Sequence, residues 1–331
     1  MNAYHVFPFF LLFSTVLYCQ NIDTNYIAIP PYKGKVYFYS TTKNNQLSFQ
    51  NTLNKYTLTY YPNSWGSMGV GFTYKALDLS IGLIPYGKRE ESVYGKVSRI
   101  DIQSHIYVRK FIIDAFLQSY SGLYSTSGIV TSNSYKVYKR NDISISQIGG
   151  NGIYIFNHNR FSAKAAYSQS EIQKKRIGTW ALGIKLNIFS VNGDSSFTSS
   201  KLDSLFKPDY RFIKFSVLQT GFLGGYLQNW LYKNWTFSIT VLAGLGEQMQ
   251  YKQLISDVNK TYAHATMGII ENIRISAGYS KNNFYFLLAI ISDNCSYPFD
   301  NNHLLNHGFG RIDCILGYRI FNKRFNPVFI Y

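Results

Sequence analysis

Charge is what this sequence has least of. Asp, Glu, Lys and Arg fill 15% of its 331 positions, against about a quarter in ordinary soluble domains. Acidic residues are the scarcer kind, 17 against 33 basic ones, which leaves a net charge of +16. That balance favours anionic partners. The basic residues are scattered rather than clustered, which argues against nucleic acid. Long apolar runs are missing as well. Beyond the first twenty residues the longest is Phe284–Ile291, and eight residues cannot cross a bilayer as a helix. No stretch carries a helical period and no repeat of fixed length stands out, which leaves an all-β chain.

Signatures of chemistry are also missing. The glycine-rich pieces sit within strand patterns with no helix after them, so they are not phosphate loops. His303 and His307 stand four apart in an apparent loop with Asp300 nearby, but no motif fixes a third ligand. Serines and His105 occur without a Ser–His–Asp constellation. No enzyme, no catalytic residue, no metal and no cofactor are therefore expected. Cysteine is sparse: Cys19 lies in the first twenty residues, and Cys295 and Cys314 remain. The last two could pair in an oxidising compartment. However, Cys314 alternates with Ile312, Leu316, Tyr318 and Ile320 on an apolar face, and Cys295 reads as a loop residue that would have to reach round the wall. Two free thiols are expected.

What the sequence does have is an export segment and a period of two. Residues 1–20 hold the apolar run Val6–Leu17 and no Lys, Arg, Asp or Glu, as in a signal peptide. Tyr18 stands where a lipidated cysteine needs a small neighbour, so cleavage near Cys19-Gln20 is favoured over a lipid anchor. Farther on, Trp180, Leu182, Ile184, Leu186 and Ile188 alternate with Thr179, Ala181, Gly183, Lys185 and Asn187. Successive side chains of a strand point to opposite faces, so this strand has one greasy face and one polar face. Ile100, Ile102, Ile106 and Val108 against Arg99, Asp101, Gln103, His105, Tyr107 and Arg109 repeat the pattern with a charged face. Its recurrence, with 29 Tyr and 25 Phe, suits a wall between lipid and a polar lumen. The fold expected is a transmembrane antiparallel up-and-down β-barrel over residues 35–322, with about 14 strands in a range of about 12–16. Residues 21–34 would be a periplasmic segment and 323–331 a tail.

Particular stretches carry further expectations. Phe161–Glu171 reads as a strand after the Asn157-His158-Asn159-Arg160 turn, and Gly149-Gly150-Asn151-Gly152 as a bulge or bend. Residues 121–141 and 191–209 read as long loops separated by three strands, which would place them on opposite sides of the membrane. Long loops should share the outer side.

Tyr154-Ile155-Phe156-Asn157, Arg160-Phe161-Ser162, Ala165-Ala166, Gln169-x-Glu171-x-Gln173 and Gly178 form a block that resembles the signature of the domain of unknown function 4421 family. Tyr60-Tyr61-Pro62-Asn63, Gly69-Val70-Gly71-Phe72-x-Tyr74, Tyr107-x-Arg109-Lys110-Phe111, Asp114 and Tyr120-x-Gly122-x-Tyr124 resemble it too. Arg176-Ile177 departs from the Lys-Ser or Arg-Ser step expected there. The resemblance covers most of residues 35–320 and implies an outer-membrane barrel of the Bacteroidetes, with no activity attached.

Candidate site residues follow from the polar faces. Arg99, Asp101, His105, Arg109, Asp114, Lys164, Lys185, Arg274, Arg311, Asp313 and Arg319 are expected to line the lumen, either as a permeation path or as internal salt bridges. Gln169, Glu171 and Gln173 share a face, as a binding ladder at the barrel mouth or a hydrogen-bonded rim. Two functions stay open. One is a channel favouring anions. The other is a closed structural or docking barrel whose loops at 121–141, 191–209 and 293–310 bind a partner protein or surface glycan. Outer-membrane lipid, including anionic lipopolysaccharide head groups, is the expected surrounding. A soluble secreted sandwich is the remaining architecture. Heat-modifiable migration on a gel separates it from a barrel: the unheated folded chain should run away from its boiled position, and identical positions would favour the sandwich.

Overall fold

The computed structural model describes residues 22–126, 137–195, 197 and 212–321, apart from 54, 65, 75–76 and 255. Residues 1–21, the tail, ten residues of the 121–141 loop and most of the 191–209 loop lie outside them. Ten antiparallel strands close a ring. They are β2 (Tyr32–Asn51), β3 (Tyr56–Pro62), β7 (Phe111–Ser125), β8 (Tyr138–Ile155), β10 (Ile177–Asn192), β11 (Phe212–Tyr232), β12 (Trp235–Leu254), β13 (Asp257–Lys281), β14 (Phe284–Pro298) and β15 (His303–Phe321). β15 returns to β2, and β3 joins β7 through Tyr61 and Pro62. Three strands lie off the ring: β4 (Gly66–Tyr74) and β5 (Leu77–Tyr86) extend from β2, and β6 (Ser98–Tyr107) pairs with β7. β1 (Ile27–Ala28) and β9 (Ile172–Gln173) make a separate two-stranded ribbon. Two short helices, α1 (Glu91–Tyr94) and α2 (Ala163–Tyr167), complete the chain.

The wall is apolar outside and polar inside, the reverse of a soluble barrel. Cross-strand register makes this explicit. Ile188, Ile148, Leu117 and Ile102 are successive partners across β10, β8, β7 and β6, and all four are exposed. Inside, Lys185, Asn151, Asp114 and His105 form the matching row. Trp180 begins the outward row of β10 at 67% exposure.

Several expectations are corrected. The ring has ten strands with three outside it, where the alternation predicts about 14. The difference arises partly because β2 runs unbroken through both Lys35–Ser40 and Gln46–Gln50. It also arises because Phe161–Glu171 is no strand: it turns inward as α2 and its flanks. Only β8 and β10 therefore separate the two long loops, and both loops leave from the same end. Most of 293–310 is strand, since β14 extends to Pro298 and β15 starts at His303. The glycines of β8 form no bulge, for pairing with β7 and β10 is continuous there. A Cβ at Gly149 would lie 2.8 Å from the Phe116 ring, so glycine lets that ring seat on the backbone.

The lumen is filled in layers. Toward the loop end Leu47, Phe49, Tyr60, Phe189, Phe197, Phe212, Phe215 and Tyr297 are buried together. Phe49 stacks on Phe197 at 5.8 Å, and Phe189 on Tyr297 at 5.3 Å. Cys295, on β14, is buried, and Cys314, on β15, is exposed; both are free. In the folded protein, N-ethylmaleimide should modify Cys314 and spare Cys295 until denaturant is added. Mass spectrometry reads the difference, and equal labelling of the two thiols in the folded state would contradict the fill of the lumen.

Candidate functional site in the barrel interior

β-Strand alternation places the charged side chains on the inner face, and the narrow lumen then forces them together. Arg274 and Arg319 are fully buried. Such charges need opposite charges or hydrogen bonds at close range. Asp114 receives Arg274 on one oxygen, and His105 Nδ1 lies 2.6 Å from the other. Asp293 receives Lys185 Nζ at 3.0 Å and Asn151 Nδ2 at 3.0 Å on one oxygen, and Asn272 Nδ2 at 3.0 Å on the other. Arg274 Nε donates to Asn272 Oδ1 at 3.0 Å, which ties the two carboxylate clusters together. The Lys185–Asn151–Asp114–His105 row thus faces an Asn272–Arg274–Asp293 group across the barrel.

Below this layer, residues 157–176 form a plug. Ser162 caps α2 by accepting from the Ala165 amide at 3.0 Å, which satisfies one of the donors a helix start leaves unpaired. Arg109 donates to Glu171 Oε1 at 2.6 Å, and Ser162 Oγ donates to Glu171 Oε2 at 2.6 Å. Gln173 Oε1 accepts from the Ser162 amide at 3.0 Å and from Asn229 Nδ2 at 3.2 Å. Tyr167 OH meets Thr240 Oγ1 at 2.6 Å, and Arg319 Nη2 donates to the Gln169 carbonyl at 2.8 Å. Lys35 Nζ reaches Ser170 Oγ at 2.9 Å. The ribbon of β1 and β9 pairs residues 27–28 with the plug.

The sequence-derived candidates divide accordingly. His105, Asp114, Lys185 and Arg274 meet in the ionic layer. Arg109, Arg319, Gln169, Glu171 and Gln173 meet in the plug, so the three polar residues belong to a buried, hydrogen-bonded cap and not to a strand end. Lys164 is a correction: it sits on α2 rather than in the wall, half-exposed, with Nζ 3.8 Å from Glu171. Arg99, Asp101, Arg311 and Asp313 line a separate polar cavity of about 370 Å³ along β2, β6 and β15. There Lys43 Nζ lies 3.1 Å from Asp101, and Arg311 Nε lies 2.7 Å from Asp313. Asp101 also accepts from Tyr120 OH and from Gln118 Nε2.

Sequence reasoning missed Asp293, the central anion. Its signal was present: it continues the inward parity of Tyr285, Leu287, Ala289 and Ile291. His303 and His307 are strand residues, not loop ligands. His303 Nδ1 lies 3.0 Å from Asp300 Oδ1, and His307 Nε2 lies 3.1 Å from Asn45 Oδ1. Among the described residues no cluster of three metal-ligating side chains occurs. Replacing Arg274 by Met strands Asp114 and should cost about 3–5 kcal/mol of stability. Adding Asp114→Asn should recover part of that loss. Urea-unfolding midpoints of the two singles and the double measure the coupling, and additive losses would mean the pair does not interact.

Comparison with solved structures returns outer-membrane barrels. The outer membrane protease OmpT from Escherichia coli has a TM-score of 0.41 at 9% identity, with 88% of this chain and 98% of that chain covered. The toluene transporter TodX of P. putida has a TM-score of 0.22 at 8% identity, over 90% and 91%. OccAB4 of Acinetobacter baumannii has a TM-score of 0.18 at 8% identity, over 92% and 100%. Scores this low carry no argument about what this chain does. A search of curated proteins finds no match. The family model described as "Domain of unknown function (DUF4421)" matches residues 21–320, and the chain belongs to that family.

Proposed function

We propose that the protein is an exported outer-membrane barrel that conducts no ions and serves as a closed docking scaffold. One observation carries this reading: the lumen charges that a channel would present to passing ions are spent on one another. Lys185, Arg274, Asp114 and Asp293 are each at most 3% exposed. An ion in transit would have to displace a partner from a buried charge, and breaking one such pair costs several kcal/mol. The plug closes one end of the lumen and the aromatic layer fills the other, so removal of either alone leaves the ionic layer in place.

Two features support the membrane and docking parts. The outward apolar rows suit the hydrocarbon of a bilayer. The connections at 87–97, 126–137 and 193–211 all leave from one end, the geometry of an extracellular face, while the opposite end carries the plug and the tight turns at 233–234 and 282–283. The +16 net charge belongs to the chain as a whole and favours anionic surroundings, whether lipopolysaccharide head groups, a surface glycan or an acidic partner protein.

Single-channel recording of the refolded protein in a planar bilayer tests the reading. A folded, inserted and silent protein is expected. Steady openings that prefer anions, with a shift of selectivity in the Arg109→Glu, Lys185→Glu double variant, would replace the scaffold by the channel.

A further inference from the structure

Positive charge is left over at the turn end of the barrel. Lys175 and Arg176 stand just before β10, Lys233 lies in the β11–β12 turn, and Lys281 ends β13. All are exposed. β10 to β14 are consecutive neighbours in the sheet, so these cations share one arc of rim about 20 Å long, at roughly 4.8 Å per strand. Among the described residues none of them has a carboxylate within ion-pair distance. The carboxylates nearest the rim are engaged elsewhere. Asp23 holds Arg160 at 3.1 Å, and Glu171 is buried against Arg109 and Ser162. Asp78 stands opposite Thr73 on β5, outside the arc. At the loop end, in contrast, cations and carboxylates stand together: Lys88 pairs with Glu91, Arg140 with Asp142 and Lys260 with Asp257.

The leftover cations lie in line with an aromatic belt. The outward rows of the same arc expose Trp180, Tyr226, Trp230, Tyr232, Phe237 and Phe284. Trp180 meets Tyr226 at 5.1 Å, Trp235 meets Tyr279 at 5.1 Å, and Phe284 meets Tyr318 at 4.9 Å. Lys233 follows Tyr232 directly, with Nζ 5.4 Å from that ring, and Lys281 continues the outward parity of Ile275 and Tyr279. Rings with one polar edge settle at the boundary between hydrocarbon and head groups. A cation just beyond such a ring therefore stands at the depth of the lipid phosphates.

We infer that this arc is a binding surface for anionic phospholipids of the leaflet on the turn side, with phosphate as the group recognised. The ammonium and guanidinium donors meet phosphate oxygens in charge-assisted hydrogen bonds, and the belt contacts the acyl chains. An acidic protein would use the cations alone; their place in line with the belt favours the lipid. The surface rests on the wall being membrane-embedded, as proposed above, and not on the lumen being shut.

The chain has four tryptophans, and Trp180, Trp230 and Trp235 all lie in this arc. The full chain carrying Trp65→Phe is refolded into vesicles of equal phosphatidylglycerol and phosphatidylcholine, with acyl-chain bromine on one lipid at a time. Tryptophan quenching then reads which lipid lies against the belt. Brominated phosphatidylglycerol should quench more, with a relative affinity of about fivefold at low salt that falls toward unity in about 1 M salt. Combining Lys175→Gln, Arg176→Gln, Lys233→Gln and Lys281→Gln should abolish the preference. Heat-modifiable migration checks that each variant is folded. Equal quenching by the two lipids in a folded parent chain overturns the surface alone, and so does a preference that the combined variant keeps. Equal quenching together with saturable binding of poly-L-glutamate assigns the cations to an acidic partner instead. A parent chain without a heat-modifiable form overturns the membrane wall and the surface together.

Discussion

A carboxylate removed from water needs a cation or several donors within hydrogen-bond reach, and the interior of this barrel is arranged around two such demands. Asp114 and Asp293 sit on strands from opposite parts of the wall, and each gathers donors from more than its own strand. Arg274 and Asn272 connect the two. Because each partner is fixed by the register of its strand, the ionic layer works only when β6, β7, β8, β10, β13 and β14 are all in place. A slip of one residue in any of them would turn its charge out to lipid and its apolar face inward. The polar interior thus selects one register for most of the wall at once.

The same constraint explains the difference between the two sides of the molecule. Where inward charges are fully paired, along β8, β10 and β13, the wall is continuous and the lumen is packed. Where the lumen is roomier, along β2, β6 and β15, the side chains are Lys43, Asp101, Arg311 and Asp313, and the hydrogen-bonded wall stops at the β5 edge. Polar filling and an open seam occur together because unpaired backbone needs a polar neighbour.

The wall was legible in the sequence because a strand between lipid and a polar lumen alternates without exception: Trp180 to Ile188 faces out as written, and Arg99 to Tyr107 faces in. Three things were not legible, each for a physical reason. Residues 161–171 lie inside the barrel and are buried apart from Lys164, Ser168 and Ser170, so Phe161, Ala163 and Ala165 imitate a strand's apolar face. Residues 292–296 put polar side chains on both faces of β14, so Asp293 to Ser296 reads as loop. The departure of β4 and β5 from β3, and the missing β5–β6 bonds, are pairings between distant stretches that no local period encodes. Of the candidate site, the charges were legible and their partners were not, since Asp114 and Arg274, like Lys185 and Asp293, meet only after the sheet has closed.

The ribbon of β1 and β9 joins the first described residues of the chain to a segment nearly 150 positions later. Ile27 pairs with Gln173, and Asp23 holds Arg160 at 3.1 Å. Residues 22–28 are therefore a structural part of the plug and not a spacer ahead of it. In practical terms, the amino terminus is a poor place for an affinity handle: a fusion that displaced residues 22–28 would leave β9 with a bare edge and Gln173 short of its Tyr26 acceptor. It also gives the order of assembly a direction. Residues 22–28 cannot reach their final place until the middle of the chain has folded inward to receive them.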